Sequence, residues 1–336
     1  MMYLKPAPGR SPKIEADGPI KELDELSRSV PEDPSDLEGY FTRHLFPLLN
    51  IGHWTSLMLE EVRESEVLTF GAAAAALGAP KGARGIAEWT ALGKVKGPTY
   101  KLVRKVDLGP GKVPITPTLD LPPFSALARV QSSMEPLLRG GDGRERMAYL
   151  GLDISTLGNA QASAIVVVSP QGEADLELAS LSEPTFPYIP GFLFYKEASH
   201  LMPLVKQALQ KGVPDESVLV LDGNGTIHPR GIGIACQIGI ALDMPSMGIA
   251  KRLLWGRAGP WERSDGGALV SRIEDEGRTI GHGLRGDKGR PLYASRGHRT
   301  GQDECIAFAI DVLQGRKRSP TKLAHIVANR ARRLES

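Results

Sequence analysis

From residue 147 onward, apolar positions alternate with polar or small ones in short runs, broken by longer runs at helical spacing. "MAYLGLDIS" (147–155), "QASAIVVVS" (161–169) and "ADLELASLS" (174–182) read as strands. The last two are joined by Pro170, Gln171 and Gly172, a hairpin signal. "GFLFYKEASHLMPLVKQALQKG" (191–212) reads as a helix, "SVLVLDG" (217–223) as a short buried strand and "GIGIACQIGIALD" (231–243) as a helix. "PSMGIAKRLL" (245–254) reads as a strand running into basic residues. Strands return between 268 and 295, and "GQDECIAFAIDVLQG" and "PTKLAHIVANRARRL" close the chain as helices. Three early strands followed by helix, strand, helix, strand predict an α/β fold, a mixed sheet flanked by helices on both faces.

The amino-terminal part has a different texture. Residues 1–35, rich in Pro, Gly and charge, read as a loose arm. "LEGYFTRHLFPLL" (37–49), "EVLTFGAAAAALGAP" (66–80) and "KGARGIAEWTAL" (81–92) have helical spacing, and "TYKLVRKVDL" (99–108) looks like a strand or wing. Helix, turn, helix and wing predict a small winged helix-turn-helix domain over 36–106. Residues 107–143 read as a linker because Pro and Gly are frequent at its start, and 144–336 form the larger domain.

Composition adds little: 41% hydrophobic and 24% charged residues suit a soluble chain with its own core. Cys236 and Cys305 belong to no CxxC pattern, which points to a reducing, cytoplasmic setting. No apolar run is long enough to span a membrane, and no membrane partner is expected. Local charge says more. Residues 81–112 carry eight Lys or Arg against two acids, and 316–336 carry seven against one. Two basic clusters in different halves suit a polyanion such as nucleic acid.

The candidate chemistry lies in the acids. Asp153 ends the first strand of the larger domain, Asp222 ends the fourth, and Glu197 stands early in the helix between them. If the first and fourth strands are neighbours, the two aspartates face each other and the helix adds a third acid. Such a group repels itself unless a hard divalent cation neutralises it. Mg²⁺ suits few carboxylates, several waters and a phosphate oxygen.

Four ordered blocks, "YIPGFLFYKE" (188–197), "LVLDGNGTIHPRG" (220–232), "MGIAK" (247–251) and "RPLYASRGHR" (290–299), resemble the endonuclease V family. The resemblance implies a ribonuclease H-like sheet and a Mg²⁺-dependent endonuclease, with Mn²⁺ able to substitute. It implies nicking of DNA that contains deaminated bases, chiefly deoxyinosine, at the second phosphodiester 3′ to the lesion, leaving 3′-hydroxyl and 5′-phosphate. Asp153, Glu197 and Asp222 are then the metal-binding acids, His298 joins the catalytic centre and Lys251 sits near the scissile phosphate. Tyr188, Ile189 and Pro190 match the wedge that parts the strands beside the lesion, and Gly191 leaves room for the extruded base. His228, Arg230 and Lys196 are expected to donate to phosphate or to the base's surroundings, and Gly223 and Gly225 to thin the backbone for an approaching strand. RNA carrying inosine is an alternative substrate, and a non-catalytic lesion binder an alternative class. Nothing in the chain demands an oligomer, so a monomer is expected.

The segment from 37 to 106 is similar to the DNA-binding domain of O6-alkylguanine-DNA alkyltransferases, with Arg84 where that family inserts an arginine into the duplex. Thr99 and Tyr100 stand where those enzymes have cysteine and histidine. A threonine hydroxyl cannot replace an activated thiolate, so the resemblance implies DNA binding without alkyl transfer.

Overall fold

The computed structural model describes residues 3–6, 19–49, 65–68, 86–89, 102–107, 112–114, 122–157, 160–183, 185–186 and 191–333. The chain divides into two compact units, one of residues 1–29, 43–130 and 185–190, the other of 30–42, 131–184 and 191–336.

In the first unit, the strand Tyr3–Pro6 pairs antiparallel with Ser65–Leu68. Ile86–Trp89, Leu102–Asp107 and Lys112–Pro114 form a three-stranded antiparallel sheet. The strand at 102–107 is where the sequence puts it. Helical spacing predicts otherwise for 65–68 and 86–89, because short windows such as "SEVL" and "IAEW" satisfy either period and a pairing partner decides. Among the described residues of this segment there is no helix-turn-helix, and Arg84, Thr99 and Tyr100 lie outside them.

The expected arm and linker contain helices where they are described. Pro19–Leu26 is a helix within the expected arm; Pro34–Tyr40, leading into the stretch expected to be helical, is capped by the Asp33 carboxylate, which accepts from the Ser35 N–H at 2.9 Å. Pro122–Met134 is a helix that starts on two prolines, where a missing N–H costs nothing. Its Leu127, Val130 and Met134 are fully buried at helical spacing.

The second unit is built on one ten-stranded mixed sheet. Its elements are β1 (Tyr149–Leu157), β2 (Ala160–Val168), β3 (Ala174–Ser182), α1 (Leu193–Gln210), β4 (Val218–Leu221), α2 (Ile234–Ala241) and β5 (Ser246–Ala250). Then follow β6 (Arg257–Ala258), β7 (Glu262–Arg263), β8 (Leu269–Asp275), β9 (Arg278–Arg285), β10 (Leu292–Arg296), α3 (Gln302–Leu313) and α4 (Pro320–Arg333). The strand order is β6-β8-β9-β10-β5-β4-β1-β2-β3, with β7 pairing β8. β4 runs parallel to both β1 and β5, and the other pairs are antiparallel. A central strand covered on both faces must be apolar throughout, and all four residues of β4 are buried.

The two sheet faces hold different helices. Tyr149, Val218, Val220, Met247 and Ile249 pack with Cys305, Phe308, Ala309 and Ile310 of α3. Along the same face, Ala162, Ala164, Val166 and Val168 of β2 pack with Ala324, Val327 and Ala328 of α4. Alternation sends Leu150, Leu152, Leu219 and Leu221 to the opposite face. Gly151 lets α4 sit directly on β1: a Cβ there would lie 2.1 Å from both the carbonyl carbon and oxygen of Pro320.

Candidate active site

Register places the first two acids. Leu152 of β1 is paired with Leu221 of β4, and the Asp222 N–H donates to the Leu152 carbonyl at 3.4 Å. Asp153 and Asp222 are therefore next-door residues on neighbouring parallel strands, about 4.8 Å apart along the sheet and on one face. That face is the one α4 covers, since Asp153 follows Tyr149 and Gly151 at a period of two. Glu197 comes from the first turns of α1 and interacts electrostatically with both aspartates.

The charges are strained against one another. Burial pushes the Glu197 carboxyl up to about 8; Lys196 opposes this, and the negative charges of Asp153 and Asp222 add to it. Asp153 is also held above the usual carboxylate range, by burial first and by Asp222 second, while His325 and Lys251 pull it back. Two side chains answer the aspartates. Lys251, just past the end of β5, pairs with Asp222, and its ammonium is held above its ordinary value by Asp222 and Asp153 against partial burial. His325 of α4 lies with Nδ1 2.6 Å from Asp153 Oδ2. Among the described residues, no three His, Cys, Asp or Glu side chains close into a shell around one point.

The structure thus brings Asp153, Asp222, Glu197 and Lys251 together, and it adds His325, which the sequence reading missed. The available signal was modest: α4 buries Ala324, Val327 and Ala328, so His325 falls on its polar edge within a basic helix.

His298 is elsewhere. β10 runs antiparallel to β5 with Met247 opposite Arg296, so the chain beyond Arg296 passes the start of β5. Asp222 and Lys251 lie beyond the ends of β4 and β5, about 16 Å along the sheet from that start. His298 is fully buried there; its Nδ1 accepts from the Arg139 N–H at 3.3 Å and its Nε2 lies 3.1 Å from Asp243 Oδ1. Burial, with Arg139, Arg299 and Arg296 nearby, pushes its ring down to about 4. It thus lies at the opposite ends of these strands from Asp222 and Lys251.

The expected phosphate donors are engaged internally. The Gly191 carbonyl accepts from Gln131 Nε2 at 3.1 Å and Arg230 Nη2 at 2.7 Å, and His228 Nε2 lies 3.0 Å from it. Arg230 also donates to Gln131 Oε1 at 2.7 Å and stacks 4.6 Å from the centre of the Phe192 ring. His228 and Arg230 therefore clamp the backbone at Gly191, whose φ of +82° favours glycine. Lys196 is buried and reaches Thr156 Oγ1 at 3.3 Å. Gly223 and Gly225 make room for protein: added Cβ atoms would lie 2.6 Å from Ile234 and 2.0 Å from the Arg296 carbonyl oxygen. Tyr188, Ile189 and Pro190 lie outside the described residues.

A family model described as Endonuclease V matches residues 139–326, more than half the chain and the whole carboxylate site. The chain belongs to the endonuclease V family. Endonuclease V of Thermus thermophilus is 36% identical over 211 residues, covering 61% of this chain and 91% of that protein. Endonuclease V of Rhodospirillum centenum is 35% identical over 225 residues, covering 63% and 90%. The crystal structure of human endonuclease V superposes with a TM-score of 0.56 at 28% identity, covering 63% of this chain and 99% of that one. The fold is shared with Ciona intestinalis endonuclease V, solved with a DNA containing inosine, at 18% identity and a TM-score of 0.53 over 63% of this chain and 98% of that one. Membership makes the chain a nuclease, and residues 1–138 precede the matched region. No helix among the described residues is long and apolar enough to cross a membrane.

Proposed function

We propose that this endonuclease V is a Mg²⁺-dependent DNA-repair enzyme. It nicks DNA beside deaminated bases, chiefly deoxyinosine, at the second phosphodiester 3′ to the lesion, leaving 3′-hydroxyl and 5′-phosphate. The observation that carries the reading is the Asp153–Asp222 pair on adjacent parallel strands, with Glu197 close enough to be held largely protonated by its surroundings. Glu197 and Asp153 are both pushed up, by burial first and by neighbouring carboxylate charge after it, so the group is short of positive charge. An all-oxygen donor set carried by two neighbouring strands and a helix fits a hard cation that keeps part of its water shell. Asp153, Asp222 and Glu197 would hold the ion, with Mn²⁺ a substitute. When bound, Mg²⁺ supplies charge for the developing phosphodiester oxyanion and acidifies water. Lys251 is released from Asp222 to offset phosphate charge, and His325 steadies Asp153.

Substrate identity rests on the family and on the inosine-containing DNA seen with the Ciona protein. Tyr188, Ile189 and Pro190 form the wedge of this proposal. The amino-terminal segment binds DNA without transferring an alkyl group, since Thr99 replaces the nucleophile. Asp222→Ala should abolish Mg²⁺-dependent nicking of a single-inosine duplex while binding in Ca²⁺ survives. Wild-type nicking by the variant would refute the site, and preferential cutting of a matched inosine RNA would move the substrate from DNA to RNA.

A further inference from the structure

His325 touches Asp153 through one ring nitrogen and Asn329, one helical turn on, through the other. Asn329 Nδ2 is 2.9 Å from His325 Nε2 and donates to the His325 carbonyl at 3.0 Å. Asn329 Oδ1 accepts from Ser155 Oγ at 2.8 Å and from Arg332 Nη2 at 3.1 Å. The orientation of this amide is decided twice over. A guanidinium only donates, so the atom facing Arg332 must be the oxygen. A backbone carbonyl only accepts, so the atom facing the His325 carbonyl must be the nitrogen. The ring nitrogen beside that NH₂ group must then be an acceptor. In a neutral imidazole the proton consequently sits on Nδ1, which points at Asp153 Oδ2.

We propose that Asn329 is a positioning residue that holds the His325 ring in the orientation and tautomer in which its Nδ1–H donates to Asp153. The opposite tautomer would set two donors against each other at 2.9 Å and leave Nδ1 as an acceptor facing a carboxylate oxygen. Ser155 is on β1 two residues beyond Asp153, so the strand that carries the aspartate also braces the amide that orders its partner. Arg332 fixes the same oxygen from α4. One oxygen of Asp153 is thereby committed to the ring before any substrate arrives. His325 acts as a holder of the carboxylate rather than as a proton acceptor, because its only lone-pair nitrogen faces Asn329. The consequence for catalysis rests on the nuclease reading above; the tautomer assignment does not.

Asn329→Asp separates orientation from mere packing. A carboxylate still accepts from Ser155 and Arg332, but it turns an acceptor toward Nε2. In the metal-free full-length protein, labelled with nitrogen-15 histidine, long-range proton–nitrogen correlation should show His325 protonated at Nδ1 and not at Nε2. The signal is assigned by its loss in His325→Gln. In Asn329→Asp both ring nitrogens face carboxylates, so Nε2 should become protonated as well as Nδ1. Loss of such a supporting bond should lower kcat for nicking an inosine duplex in Mg²⁺ about 10- to 100-fold with KM little changed. Asn329→Ala removes the brace while Asp153 keeps Nδ1 protonated; it should lower kcat in the same range, and it serves if the aspartate variant does not fold. A ring whose Nε2 stays unprotonated in a folded Asn329→Asp, or an unchanged kcat in whichever variant folds, would overturn the proposal. Failure of the unmodified protein to nick would overturn the nuclease reading and leave the spectrum to judge the tautomer alone.

Discussion

Glu197→Gln should make the metal-free protein more stable while removing its activity. The native carboxyl is pushed up to about 8 from an ordinary 4.5. For an acid raised on folding, the favourable state is the protonated one, and stability is fully present below the unfolded pKa. Between pH 4.5 and 8 the unfolded chain gives up this proton and the folded chain keeps it, so stability falls as pH rises. The span of 3.5 pH units at 1.36 kcal/mol each is worth about 5 kcal/mol by pH 8. Glutamine has nearly the same shape and never ionises, so the variant should show none of this loss. His298 and His200, both pushed down to about 4 mainly by burial, tilt stability the other way between about pH 4 and 6.5. They do so equally in both proteins and cancel in the difference. Thermal melts of both proteins in chelator, from pH 5 to 8.5, should diverge steadily, with the variant ahead by roughly 10 °C or more at the top of the range. Mg²⁺ should narrow the gap, since a cation relieves the wild-type carboxylates and does less for the amide. Parallel profiles across pH 5–8 would refute the claim that Glu197 is buried against the two aspartates.

Other outcomes follow from the packing. Gly151→Ala would drive a Cβ into the Pro320 backbone, costing about 1–3 kcal/mol or more by overpacking. It should lower the melting temperature and, by lifting α4, weaken nicking through the His325–Asp153 contact. His298→Ala should destabilise by about 1–3 kcal/mol, as the groups around a buried ring lose their partner, yet leave kcat for nicking near wild type. A folded variant with kcat reduced a hundredfold or more would return His298 to the catalytic centre.

Much of the second unit was legible because its strands and helices repeat their apolar positions with clean periods. The stretches from "MAYLGLDIS" to "PTKLAHIVANRARRL" form the strands and helices expected of them. The first unit was less legible at 65–68 and 86–89, where four-residue windows do not distinguish a strand from a helical turn. Among the site residues, Asp153 and Asp222 stood out as carboxylates ending apolar runs. The position of His298 was not legible, because a motif block preserves order along the chain and carries no information about which end of an antiparallel strand it reaches.

The sequence by itself determined the periodicities, the two strand-ending aspartates and the family blocks, because these are local properties of neighbouring residues. Only the tertiary structure decided that His325 of the last helix meets Asp153 while His298 is packed at the far edge. It also decided that His228 and Arg230 clamp the backbone at Gly191. Those outcomes depend on strand order, on register and on the glycine at 151 that lets α4 lie against β1. Each is a long-range contact, and its energy appears only when distant segments are packed together.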